Sequence, residues 1–70
     1  MSTAKRYRLV AADPYREFVL TATGAMGSEG TQVYVDESGA VRAEIDGDGE
    51  VRTITTALPL GRPVRAEPLD

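Results

Sequence analysis

Seventy residues with a net charge of −3, no cysteine and no histidine make one domain at most. That inventory excludes disulfide staples, Ser-His and Cys-His catalysis, and zinc sites built on Cys or His. The acidic balance makes nucleic acid an unlikely default partner, because phosphate neutralisation is the main source of that affinity.

Residues 5–12 alternate, with Tyr7, Leu9 and Ala11 on one face and Arg6, Arg8 and Val10 on the other, which predicts a first strand. Asp13-Pro14 breaks it. Residues 16–23 then set Phe18, Leu20 and Ala22 against Glu17, Val19 and Thr21, a second strand that pairs with the first. Gly24, Gly27 and Gly30 punctuate a stretch without β-formers, read as a loop and the most mobile part of the domain.

Residues 31–36, 40–46 and 50–56 supply three further strands. One phrase is used twice there. Val35-Asp-Glu-Ser-Gly-Ala-Val-Arg42 is echoed ten positions later by Ile45-Asp-Gly-Asp-Gly-Glu-Val-Arg52, the pattern of a β-meander. With three-residue turns ending in a left-handed Gly39 and Gly49, the registers set Val35 against Val41, Val33 against Ala43 and Ile45 against Val51. The other side then carries Tyr34 opposite Arg42, Glu44 opposite Arg52, and Arg42 opposite Ile54. The segment 58–63 is too rich in proline for regular structure, and a short last strand over 64–67 returns along an edge.

The expected fold is all-β, a small antiparallel β-barrel or curled β-meander of five to six short strands, partly closed to hide its edges. Residues 1–70 form a single domain, with 1–4 and 68–70 as frayed tails. Tyr7, Leu9, Phe18, Leu20, Val33, Val35, Val41, Ile45 and Val51 are the predicted core. A chain this short buries only about 60% of its unfolded surface, so a partner chain is the remaining source of added stability. The apolar run after Arg8 is too short for a signal peptide and no stretch reaches a membrane span, so a soluble cytoplasmic protein is expected.

Asp46-Gly-Asp-Gly-Glu50 resembles part of a calcium loop, yet it lies between strands, and Asp36 and Glu37 fall at the opposite end of the sheet, about 15 Å away along a five-residue strand. A turn solvated by its own acids is the preferred reading, and no metal or cofactor is expected. The glycines 24, 27 and 30 lead into Thr31-Gln32-Val33 rather than a helix, which argues against a phosphate cradle. No activated nucleophile or cleft can be named, so no catalytic residue is assigned and no enzyme is expected.

Tyr34, Arg42, Glu44 and Arg52 are the candidate binding residues, since Tyr and Arg dominate interface hot spots and Arg pairs with carboxylates in bidentate fashion. The alternative is a solvated face of cross-strand pairs. Docking to another protein or to a second copy is the leading functional expectation. A nucleic-acid-binding small barrel is second, with one evident stacking aromatic on that face.

Tyr7-Arg8-Leu9-Val10, Thr23-Gly24 with Gly27, the run from Val33 to Ile45, Gly49-Glu50-Val51-Arg52 and the stretch from Arg62 to Leu69 together resemble a family of short uncharacterised actinobacterial proteins, a domain of unknown function. The similarity spans most of the chain and is sharpest from Tyr34 to Arg52. Members carry a longer proline- and glycine-rich connection after the first strand than Asp13-Pro14 provides. The resemblance implies a free-standing bacterial cytoplasmic protein and brings no activity or functional residues with it.

Overall fold

A computed structural model of the chain describes residues 4–12, 14–57, 60–61 and 63–69. Six strands, β1 (Arg6–Ala11), β2 (Arg16–Met26), β3 (Gln32–Asp36), β4 (Val41–Ile45), β5 (Val51–Thr56) and β6 (Val64–Pro68), form one antiparallel sheet in the order β5-β4-β3-β2-β1-β6. The last strand joins the first, not the fifth. The seven residues 57–63 between β5 and β6 reach about 25 Å when stretched, and a flat sheet of six strands is about 24 Å wide. Only a curled sheet leaves that connection slack. The result is a half-barrel with β5 and β6 as its two lips.

Alternation in β1 and β2 sends Tyr7, Leu9, Ala11 and Leu20 inward, with Phe18 and Ala22 packed against them, as their spacing predicts. Tyr34, Val41, Ala43 and Ile45 complete the buried cluster. Val51, Ile54, Val64 and Ala66 on the lips, and Leu60 from the connection, pack against it from the open side. The half-barrel is thus filled by side chains from both edges.

Three expectations are corrected. The β3–β4 ladder pairs Tyr34 with Ala43 and Val35 with Arg42, one residue away from the predicted register. The cause lies in the turn. Gly39 donates to the Asp36 carbonyl at 3.0 Å with φ of 78°, as a left-handed turn residue should, but the loop retains Ala40 as a fourth residue. The Asp36 carboxylate accepts from the Val41 N–H at 3.0 Å, and the Ser38 hydroxyl accepts from the Ala40 N–H at 3.2 Å. Side chains thereby replace ladder bonds that a shorter loop would form. Because side chains alternate, the slip exchanges the two faces of β3: Tyr34 enters the core, and Val33 and Val35 leave it. Val33 is still buried, on the opposite side of the sheet.

The β4–β5 hairpin keeps its three-residue turn, with Asp46 and Glu50 bonded across it at 3.0 Å and Ile45 opposite Val51. The register then shifts beyond Ile45, so that Ala43 faces Ile54, Arg42 faces Thr55 and Glu44 faces Thr53, in place of the predicted Arg42–Ile54 and Glu44–Arg52 pairs. One extra residue lets Val51 and Ile54, an odd number apart, both reach the core.

The third correction concerns the glycine-rich stretch. β2 continues through Gly24 to Met26, its ladder with β3 irregular between Ala22 and Met26, where Gly24 takes a φ of 88°. The Thr23 hydroxyl spans this irregularity, accepting from the Ala25 N–H and donating to the Val33 carbonyl, both at 3.1 Å. A single 3-10 turn, Ser28–Gly30, follows. At the ends, Ala4 accepts the Tyr34 hydroxyl, Pro68 belongs to β6, and Leu69 donates to Arg6. Residues 1–3 and 70 of the expected tails, like Leu58, Pro59 and Arg62 of the connection, lie outside the described residues. Among the described residues no helix is long and apolar enough to cross a membrane.

Candidate functional site

The four residues expected to form one binding patch are distributed over three environments. Tyr34 is fully buried, its ring edge-on to Tyr7 and its hydroxyl donating to the Ala4 carbonyl at 2.7 Å. It is a core residue. Arg42 and Glu44 do share the outer side of β4, two residues apart, and Arg42 is exposed. Glu44 is turned to the chain's own loop: Oε1 lies 3.0 Å from the Thr31 hydroxyl and 3.3 Å from the Ser28 N–H. Gly27 lies so close that a Cβ there would collide with this carboxylate and with Thr31. Arg52, displaced by the register shift, donates from Nε to Asp46 at 2.8 Å.

The acidic turns are self-contained. One Asp46 carboxylate oxygen accepts the N–H groups of Asp48 and Glu50, each at 2.9 Å, while the other takes Arg52. These bonds favour the charged form, first the Glu50 N–H and then Arg52, and hold the Asp46 carboxyl below its ordinary value. Asp36 is lowered likewise, first by the Val41 N–H and then by Ser38. Among the described residues no three acids gather as a metal cluster would require.

A different surface comes forward on the outer face of β1, β2 and β3. Registers place Arg6, Thr21, Val35, Arg42 and Thr55 in one row across five strands, with Leu69 beside Arg6 at the margin. Val19, next along β2, is 49% exposed, and Leu69 is 41% exposed. An open depression of about 700 Å³ lies over the β1–β3 part of this row, lined by Arg6, Val19, Thr21 and Val35 together with the acids Glu17, Asp36 and Glu37.

Beyond it, Arg8 bridges Glu67 at 2.8 Å and Glu17 at 3.8 Å, and Arg65 holds the second oxygen of Glu67 at 2.9 Å. The Glu67 bond raises Arg8, and Arg8 in turn lowers the Glu67 carboxyl. Tyr15 donates to Glu17, and that hydrogen bond raises the pKa of the phenol. Alternation in β1 and β2 already placed Arg6, Arg8, Val10, Glu17, Val19 and Thr21 outward. Their union with Val35 depends on the register slip, which carries that residue out of the core.

No curated protein and no solved structure matches the chain. A family match extends over residues 1–70, taking in every element from β1 to β6. The chain therefore belongs to the family of unknown function DUF6296.

Proposed function

We propose that the protein is a non-enzymatic accessory module of the cytoplasm that docks to another protein through the outer face of its half-barrel. The observation that carries this reading is the row Arg6-Thr21-Val35-Arg42 with Val19 exposed beside it. An apolar centre at Val19 and Val35 next to the exposed Arg42 fits a partner that offers an apolar side chain beside a carboxylate. Arg42 keeps its place among the candidate residues. Tyr34 supports the face only from beneath.

A nucleic-acid-binding barrel is less favoured, since Arg8, Arg52 and Arg65 all hold carboxylates of the chain, and the exposed aromatic near this face, Tyr15, is bonded to the Glu17 carboxylate. The test is affinity capture from the source lysate by the wild type, Val19→Asp and Arg42→Ala. A protein retained by the wild type and lost by both variants, with thermal melting unchanged, supports the reading. Equal capture by all three overturns it.

A further inference from the structure

The turn between β4 and β5 contains two Asp-Gly pairs in succession, Asp46-Gly47 and Asp48-Gly49, and the fold treats their carboxyl groups oppositely. An aspartate followed by glycine is open to attack by the next backbone nitrogen on its own side chain, because no Cβ on the following residue shields that nitrogen. The Asp46 carboxylate is occupied. One oxygen accepts the N–H groups of Asp48 and Glu50 and the other accepts Arg52 Nε, bonds that favour the ionised form, which is the poorer electrophile. Asp48 is exposed, and among the described residues its carboxylate makes no hydrogen bond or ion pair.

Crowding at the glycines does not protect Asp46. Gly47 is exposed, with open space where a side chain would stand, so the shield of Asp46 is the three bonds on its carboxylate. The Gly49 N–H donates to the Asp46 carbonyl at 3.0 Å, and that single bond must open before its nitrogen can turn to Asp48.

We infer that Asp48 is a site of spontaneous covalent modification, isomerising to isoaspartate through a cyclic imide with Gly49, while Asp46, two residues before it, is protected. The Gly49 nitrogen attacks the Asp48 side-chain carboxyl carbon in its neutral acid form. A C–N bond forms, the nitrogen gives up its hydrogen and the carboxyl its hydroxyl, and the two leave as water. Water then opens the ring at either carbonyl. Opening at the side-chain carbonyl restores aspartate; opening at the backbone carbonyl leaves the chain running through the side-chain carbon, with an α-carboxylate exposed. No oxidant or reductant enters. Isoaspartate lengthens the backbone of a three-residue turn by one carbon, and Gly49 loses the position from which, at φ of 86°, it donates to Asp46. This inference goes beyond docking through the outer face and does not depend on it.

The test is ageing of the full chain in mildly acid buffer, with isoaspartate quantified at each residue by peptide mapping and by enzymatic methylation of the new α-carboxylate with labelled S-adenosylmethionine. In the folded protein Asp48 should convert at least about tenfold faster than Asp46, where two further hydrogen bonds must break. In urea the two rates should converge. Asp48→Glu keeps the charge, but its longer side chain closes a larger ring far more slowly, so the signal at this position should disappear. Equal rates at the two residues in the folded chain, conversion of Asp46 ahead of Asp48, or an Asp48 that converts in urea and not in the fold would each overturn the assignment. None of these results bears on the Val19 and Arg42 capture experiment, so the two proposals fail separately.

Discussion

Tyr7 and Tyr34 meet edge to face across the centre of the half-barrel, ring centroids 5.1 Å apart and planes at 88°. Such a pair contributes roughly 0.5–1.5 kcal/mol beyond the area it buries. The Tyr34 hydroxyl, held by Ala4, ties the segment before β1 to the middle of the sheet. Tyr34→Phe keeps the ring contact and should cost about 1 kcal/mol in urea unfolding, the loss of one hydrogen bond. Tyr34→Ala should cost about 3–5 kcal/mol. Equal melting of the alanine variant and the wild type would show that the ring is not in the core.

Gly27 is required for space, not for an unusual φ. Gly27→Ala should destabilise by about 1–3 kcal/mol because the new methyl collides with the Glu44 carboxylate and Thr31. The same change in a Glu44→Ala background should cost less. A double-mutant cycle with no coupling between the two positions would refute the contact.

Acid should act through carboxylates that the fold holds ionised. Asp36, Asp46 and Glu67 all have folded values below their ordinary 3.8, 3.8 and 4.5. A lowered folded pKa contributes stability that is present above the ordinary value and lost as pH falls through the folded one. Melting temperature should therefore change little from these groups between pH 7 and 5, then fall below about pH 4. Asp46→Asn should make that fall shallower. An unchanged slope would mean that the turn bonds of Asp46 do not discriminate between its charged and neutral forms.

Ala40 is the fourth residue of the first hairpin loop. Its deletion leaves Asp36 opposite Val41 across a three-residue loop, so Val35 still faces Arg42 and Tyr34 stays in the core. The deletion should cost less than about 3 kcal/mol, the loss expected for a buried aromatic side chain. Loss of the cooperative unfolding transition would show that the register does not survive the shorter loop.

Strand number, the two glycine turns and the inward faces of β1, β2 and β4 were legible because they rest on local alternation and on left-handed positions that Gly39 and Gly49 fill. The face of β3 was not. It depends on whether Ala40 counts as loop or ladder, and that is decided by bonds from the Asp36 and Ser38 side chains to backbone N–H groups. In the second copy of the phrase the same uncertainty appears one strand later, as the register shift beyond Ile45. Of the expected patch, Arg42 alone keeps an exposed outward position without a place in the chain's own turns. The extension of β2 past Gly24 was hidden because glycine and alanine carry no strand signal, and the bonds that hold the segment come from Thr23 and Glu44. Glu44 lies sixteen residues beyond Ser28, out of reach of any local pattern.

The ladder between the sixth strand and the first has a consequence for biosynthesis. Tyr7 pairs with Pro68, so β1, which is synthesised before the other five strands of the sheet, waits for β6 before its backbone is matched on both sides. Contacts of such sequence separation slow folding, since a large loop must close before it gains anything in return. Until Val64 to Pro68 have emerged, nascent chains present β1 as a second bare margin, and a translational pause near the connection would prolong that exposed interval.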